Sequence, residues 1–218
     1  MRRVVAEANV RGRDLGGFVN EVQARIASLV AELPEGYFVQ YGGQFENQQR
    51  AMRRLALIVP AALAAIMLML YLSLGRLRPA LLIFTNVPLA LIGGVLGLFA
   101  FGEYLSVPAS VGFIALFGIA VQNGLILVTY IDHLARVGIG AADAVVEGAL
   151  LRLRPVLLTA LTTVLGLAPL LFANGIGSEV QRPLAIVVVF GLISSTFVTL
   201  FFIPALYGRF VPERKETE

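Results

Sequence analysis

The sequence predicts an α-helical integral membrane protein, with five transmembrane helices that follow a small β-α-β segment. Its 218 residues are 58% hydrophobic and 14% charged, whereas soluble domains carry about 25% charged residues. The charged residues separate long uncharged runs, and each run reaches the roughly 20 residues that a helix needs to cross about 30 Å of hydrocarbon. Unpaired backbone groups are costly in lipid, so these runs should be helical. The predicted spans are Leu55–Gly75, Pro79–Gly102, Tyr104–Ile131, Pro155–Ser178 and Pro183–Gly208.

Residues 1–50 form the predicted soluble part of the chain. Val4–Val10 has the composition of a strand, and Phe18, Val22 and Ile26 then recur at helical spacing. The "LPEG" stretch predicts a turn into a second strand, "YFVQY". One helix and two strands bury too little surface to be stable alone, so other parts of a larger protein or its neighbours should complete this segment.

The basic residues predict how residues 51–208, the membrane domain, are oriented. Arginines cluster in the first and third connections between spans, and basic residues also follow the fifth span. By the positive-inside rule these ends face the cytoplasm, which leaves the N-terminus periplasmic and residues 209–218 as a cytoplasmic tail. The residues concerned are Arg76, Arg78, Arg136, Arg152, Arg154, Arg209, Arg214 and Lys215.

The start of the chain lacks the apolar core of a secretory signal, although the predicted orientation places it outside. We therefore expect a further helix upstream, and expect this chain to be the C-terminal part of a longer protein. The net charge of +3 fits membrane orientation better than nucleic-acid binding, because no basic stripe interleaved with aromatic residues lies outside the apolar runs.

The connection between the third and fourth spans has an amphipathic pattern. Asp143 and Glu147 come early in it, and Arg152 and Arg154 come late, which suits the dipole of a helix. The pattern predicts a short helix at the cytoplasmic surface. Asp132 and His133 directly follow the third span at its cytoplasmic end, where the ordinary role of such residues is interfacial anchoring.

Polar side chains inside the predicted spans are the candidate functional residues, because a polar group in lipid is costly without a partner. They are Gln122, Asn123, Thr159, Thr162 and Thr163, with Arg154 at the start of the fourth span. The ordinary alternative is that the threonines bond to their own helix and the amides join helices. Neighbours on a helix point about 100° apart, so at least one of the two amides should face the bundle interior.

Gly93 and Gly97 form a small-residue face in the second span, which predicts close helix packing rather than a site. No Asp, Glu, Lys or His lies within the core of any predicted span. The chain alone should therefore not couple transport to a proton gradient, and a partner must supply the acid. No nucleophile–base pair, phosphate loop or metal constellation is recognisable, so we expect neither an enzyme nor a cofactor.

Several long stretches resemble a known family. "VGFIALFGIAVQNGLILVTYI", "RLRPVLLTALTTVLGLAPL" and "GSEVQRPLA" are similar to the last membrane helices of resistance-nodulation-division (RND) efflux pumps. "EANVRGRDLGGFV" and "LPEGYFVQYGGQFENQQRA" most resemble the heavy-metal branch, which includes the cobalt-zinc-cadmium pumps. The resemblance covers essentially the whole chain.

The resemblance implies helices eight to twelve of a twelve-helix subunit, half of an RND-type bundle, after the β-α-β end of a periplasmic porter region. It further implies a proton-coupled exporter of divalent heavy-metal cations in the bacterial inner membrane. The implied partners are the N-terminal half of the pump, two further copies in a homotrimer, a periplasmic adaptor and an outer-membrane channel. Two alternatives stay open: an RND exporter of organic amphiphiles or drugs, and a truncated inactive membrane fragment.

The family also implies a proton relay. Its acids lie on the fourth helix of the subunit, outside this chain, and drug-exporting relatives place a lysine opposite them on the tenth helix. This sequence has Gln122 at the matching position, followed by Asn123. Glutamine can bond to a carboxyl group but cannot balance its charge, so compensation must come from Arg154 or the metal cation. Thr159, Thr162 and Thr163 would complete the network that faces the missing helix.

Overall fold

The computed structural model describes residues 4–8, 10, 15–34, 36–173, 175 and 177–210. The chain divides into two compact units, Met1–Ala56 and Leu57–Glu218. Its regular elements within the described residues are helical. They are α1 (Leu15–Ala31), α2 (Gln44–Leu74), α3 (Leu77–Phe84), α4 (Asn86–Ala100), α5 (Val107–Arg136), α6 (Ala141–Leu171), α7 (Ser178–Phe197), a π-helical turn (Val198–Phe202) and α8 (Ile203–Phe210).

The predicted β-α-β arrangement of residues 1–50 is wrong. The helix is present as α1, but no strand occurs among the described residues, including 4–8, 10 and 37–42. Asn9 of the first predicted strand and Glu35 of the predicted turn lie outside them. A strand needs a partner for its backbone groups, and two short strands alone are marginal. Val4, Tyr37 and Phe38 are accordingly 99%, 72% and 70% exposed.

The prediction of five spanning helices is confirmed for the described part of the chain. Five helical segments there are long and apolar enough to cross a membrane. The first, α2, also includes the residues that precede the predicted span, so it is 31 residues long. The predicted tail lies outside the described residues from residue 211 onward. The segments are Gln44–Leu74, Leu77–Ala100, Val107–Arg136, Ala141–Leu171 and Ser178–Tyr207.

Two of these segments are interrupted, and a proline accounts for each interruption. Thr85 separates α3 from α4, because Pro88 has no N–H for the Phe84 carbonyl and its ring crowds that carbonyl. The π-helical turn separates α7 from α8, and there the Ile203 N–H donates to the Val198 carbonyl five residues back. Pro204 follows at once and has no N–H for the Leu200 carbonyl.

The expected surface helix between the third and fourth spans is not a separate element. Its residues form the first part of α6, which continues through Pro155 to Leu171. Proline is tolerated inside such helices where neighbouring groups satisfy the freed carbonyl. The amphipathic pattern therefore marks one end of a long helix.

Helices α4, α5 and α7 form the packed centre of the second unit. In an apolar 18-residue stretch of each segment, the buried share is 50%, 56% and 56% for the second, third and fifth segments, against 6% for the first and 11% for the fourth. Glycines allow the close approach of the central helices. A Cβ at Gly97 would lie 2.7 Å from the Cβ of Phe190, and one at Gly93 would lie 2.8 Å from the Phe190 carbonyl oxygen.

Candidate functional site

Gln122 and Asn123 point to different sides of α5. Gln122 is exposed, whereas Asn123 is 7% exposed and belongs to the buried core. The structure therefore separates the two amides, as their 100° offset on a helix requires. Only Gln122 is open to a helix outside this chain, because Asn123 is covered by side chains of this chain.

The three threonines of α6 bond to their own helix. The Thr159 hydroxyl donates to the Pro155 carbonyl at 3.0 Å, and the Thr163 hydroxyl donates to the Thr159 carbonyl at 2.9 Å. Thr162 likewise lies 2.8 Å from the Leu158 carbonyl. These bonds use the hydroxyl protons and leave oxygen lone pairs free, so each threonine can still accept a hydrogen bond.

Arg154 is exposed near the middle of α6. Its neighbour Arg152 places its guanidinium 4.6 Å from the centre of the Tyr130 ring, a cation–π contact between α6 and α5. Thr162 and Thr163 both donate to the Thr159 carbonyl within α6, but among the described residues no hydrogen bond joins Gln122 or Arg154 to each other or to these threonines. Gln122, Arg154, Thr159 and Thr162 are exposed and Thr163 is half-buried, but the structure does not assemble them into one network.

The structure instead assembles a buried polar layer, of which only Asn123 was among the candidates predicted from the sequence. Asn86 is fully buried at the start of α4, and its Nδ2 donates to the Ala120 carbonyl of α5 at 3.0 Å. The same nitrogen donates to Thr199 Oγ1, in the π-helical turn, at 2.7 Å. One side chain thus joins the two interrupted segments and the helix between them. The buried polar layer consists of Asn86, Asn123, Ser195, Thr196 and Thr199.

The register of α5 and α7 indicates that Ser195 lies within about one turn of the contacts that Asn86 makes. A Cβ at Gly112 would contact Val187, and one at Gly191 would contact Leu116. A step of four residues along α5 therefore matches a step of four along α7. One further step of this register would bring Ser195 close to Ala120, whose carbonyl accepts a hydrogen bond from Asn86.

Part of the buried polar layer has no hydrogen-bond partner among the described residues. The atoms concerned are Asn86 Oδ1, Asn123 Nδ2, Ser195 Oγ and Thr196 Oγ1. An unpaired buried polar group costs about 1–3 kcal/mol. Such atoms are uncommon in folded proteins, and each calls for a physical reason.

Two signals in the sequence could have revealed this layer. Asn86 stands two residues before a proline inside an otherwise apolar run, and "SSTFVT" places four hydroxyl residues shortly before Pro204. Both combine a helix interruption with a polar side chain, which is where freed backbone groups need partners. Within the described residues, no group of three or more His, Cys, Asp or Glu side chains could hold a metal ion.

The fold and the polar layer define a polytopic helical membrane protein whose apolar core contains a small set of buried polar side chains. Comparison with known proteins then places it: the chain belongs to the AcrB/AcrD/AcrF family, whose sequence model matches residues 1–211. The predicted resemblance to the heavy-metal branch of RND pumps is confirmed by the relatives it matches.

Two relatives and one crystal structure illustrate the similarity. The protein HelA of Legionella pneumophila is 53% identical over 216 residues, which are 99% of this chain and 20% of HelA. The cobalt-zinc-cadmium resistance protein CzcA of Cupriavidus metallidurans is 49% identical over 206 residues, 94% of this chain and 19% of CzcA. The crystal structure of a heavy metal efflux pump, crystal form II, matches with a TM-score of 0.78 and 48% identity, over 93% of this chain and 20% of that one. The chain thus spans about a fifth of the length of these proteins.

Proposed function

We propose that this chain is the C-terminal membrane part of a proton-coupled exporter of divalent heavy-metal cations. The observation that carries the proposal is the similarity to CzcA, a cobalt-zinc-cadmium resistance protein, at 49% identity over 94% of this chain. The proposed activity of the whole protein is transport and not catalysis. Divalent cations are its cargo and protons are its driving ions.

We propose that the proton relay faces the open side of the bundle, where α2 and α6 are largely uncovered. Gln122 is exposed on α5, and Thr159 and Thr162 are exposed on α6. The threonine oxygens keep lone pairs that can accept a bond from a protonated carboxyl group on a neighbouring helix. The Gln122 amide can both donate and accept, so it can bond to either protonation state of that group. Thr163, which is half-buried, would extend this network into the bundle.

The relay still needs a positive charge opposite the carboxylate, because Gln122 is neutral. We assign that role to Arg154, which is exposed and has no carboxylate partner among the described residues. Asn123 was predicted to share the relay, but its burial supports a different role. We propose that it supports the relay indirectly, by packing α5 against its neighbours behind Gln122.

The assembly and orientation belong to the same proposal. We propose a homotrimer in the bacterial inner membrane, joined to the N-terminal half of each subunit, a periplasmic adaptor and an outer-membrane channel. We place the N-terminus in the periplasm and the C-terminus in the cytoplasm by the positive-inside rule. Arg76, Arg78 and Arg136 lie at the cytoplasmic ends of predicted spans, and Arg152 and Arg154 directly precede the predicted fourth span, Pro155–Ser178.

The test replaces Gln122 by leucine in the full-length pump and measures resistance to cobalt, zinc and cadmium at equal expression. We expect Gln122→Leu to lose most of the resistance, because leucine removes the hydrogen bonds to the relay carboxyl group. The matched control is Ile126→Leu, one turn further along α5 and 38% exposed, which should keep full resistance. Unchanged resistance in Gln122→Leu would contradict the relay role. If the full-length pump conferred resistance to organic dyes but not to metals, the proposed metal cargo would be contradicted.

A further inference from the structure

Among the described residues, Asp132 is the one charged residue that is buried. It lies one turn before the end of α5 and is 8% exposed. A carboxylate is costly to bury unless hydrogen bonds and an opposite charge compensate it. Sequence patterns suggested only an interfacial anchor here, so the burial of Asp132 requires an explanation.

Both carboxylate oxygens of Asp132 have a donor, and each donor comes from a different element. The Tyr207 hydroxyl of α8 donates to Oδ1, and that bond is buried. The Arg76 guanidinium, from the turn between α2 and α3, lies 3.3 Å from Oδ2. Asp132 thus connects α5, α8 and the α2–α3 turn, and we call these three side chains the Asp132 cluster.

The α2–α3 turn is anchored on one side by buried residues of α3, among them Ala80 and Leu82, but few buried contacts hold it on the α2 side. Of the residues of α2, all of which the structure describes, Leu70 alone is buried, and the other side chains that touch the core are half-buried. Gly75 ends the helix with φ at +64°, a conformation that favours glycine. The chain then becomes extended at Arg76, directly before α3. Arg76, whose side chain contacts α5, therefore lies where the chain reverses its direction between α2 and α3.

We propose that Asp132 is a positioning residue that holds the α2–α3 turn and α8 against α5, so that the end of α2 moves together with the central helices. The arrangement of partners supports this role, because one carboxylate receives a donor from each of two elements that flank α5. The inference goes beyond the proposed function, since it concerns how the helices are held and is independent of the cargo.

The chemistry of the Asp132 cluster allows its two contacts to be broken separately. Asp132→Asn keeps an oxygen that can accept from Tyr207 but removes the charge that attracts Arg76. Arg76→Gln removes the same ion pair from the other side, at a side chain that is 50% exposed and so tolerates the change. Arg78→Gln, two residues along and also exposed, is the matched control.

The measurement is the distance between spin labels at the end of α2 and at the end of α5 in the full-length pump. This chain has no cysteine, so labelled cysteines can be introduced at Leu72 and Val137, which are 71% and 67% exposed. Cysteines elsewhere in the pump are replaced first. A second label pair at Leu96 and Ile193, exposed on α4 and α7, reports on the central helices.

We expect Asp132→Asn and Arg76→Gln to broaden the Leu72–Val137 distribution and shift it to longer distances, while Arg78→Gln leaves it unchanged. The conservative variant Arg76→Lys should keep the narrow Leu72–Val137 distribution of the parent, because lysine keeps the positive charge. The Leu96–Ile193 pair should not change in any variant, which separates loss of positioning from general unfolding. An unchanged Leu72–Val137 distribution in both Asp132→Asn and Arg76→Gln would overturn the proposal, and so would an equal shift in Arg78→Gln.

Discussion

At the scale of single residues, the polar side chains of the membrane helices that do form hydrogen bonds are satisfied in two different ways. Some are satisfied within their own helix, such as Thr159 and Thr163, whose hydroxyls donate to carbonyls one turn back. Others reach across helices, as Asn86 does when it contacts both Ala120 and Thr199. The second group restricts how the helices can rotate, because moving one helix would break a buried bond. Asn86 is therefore a determinant of helix register.

Adjacent serines in α7 allow a residue-scale test of the buried polar layer. Ser194 Oγ donates to the Leu89 carbonyl at 2.9 Å, whereas Ser195 Oγ is buried without a partner among the described residues. Ser194→Ala should cost about 0.5–1.5 kcal/mol of stability, because it removes an existing bond. Ser195→Ala should unfold at the same or a higher temperature, because it removes only an unpaired hydroxyl.

The measurement is the thermal unfolding of the full-length pump in detergent, compared among the parent and the two variants. The two positions differ by one residue and carry the same substitution, so the change in volume is matched. A Ser195→Ala variant less stable than Ser194→Ala would contradict the prediction, and would mean that the Ser195 hydroxyl makes a bond in the whole protein.

At the scale of elements, glycine faces allow α4 and α7 to approach closely. A Cβ at Gly93 would lie 2.8 Å from the carbonyl oxygen of Phe190. Because that oxygen belongs to the backbone of α7, it cannot move away by a side-chain rotation. Such contacts matter in a membrane, since helices there associate through packing and not through the exclusion of water. The same approach brings Ser194 within reach of the Leu89 carbonyl.

Alanine substitutions at two helical glycines should separate packing from helix propensity. Gly93→Ala should destabilise the protein by about 1–3 kcal/mol, because its Cβ overlaps α7. Gly118→Ala should change stability by no more than about 1 kcal/mol, and in the favourable direction, because alanine is the better helix former. Apart from its chain neighbours and the nearby backbone of its own helix, no heavy atom of the described residues lies within 4 Å of that Cβ. Thermal unfolding of both variants checks this, and equal effects would contradict it.

At the scale of the whole molecule, the helices differ in how much of their surface this chain covers. In the apolar 18-residue stretches of the spanning segments, about half of the residues are buried in those that contain α4, α5 and α7, but only 6% in α2 and 11% in α6. Gln122 and Thr159 lie among the exposed side chains. The chain thus has a packed centre and wide apolar surfaces that remain available to lipid or to further helices.

This distribution predicts how the chain behaves by itself. Reconstituted in proteoliposomes, the 218-residue chain should show no proton-driven metal transport, because its predicted spans lack an Asp, Glu, Lys or His in their cores. The full-length pump in the same vesicles is the control and should transport. If vesicles with the 218-residue chain alone took up metal in response to a pH gradient, the result would contradict this prediction. The proton-carrying acids would then not lie elsewhere in the protein.

The sequence alone determined the membrane class, the five spans and the family resemblance, because apolar length and composition are local properties of the chain. It did not determine which of two adjacent amides is buried, since that depends on how α5 is rotated against α7. The contacts of Asn86 with Thr199 and of Asp132 with Arg76 join residues 113 and 56 positions apart, and only the packing of several helices brings them together. The absence of strands among the described residues has the same cause. Strand propensity is a property of a segment, but a strand forms only where tertiary structure supplies a partner.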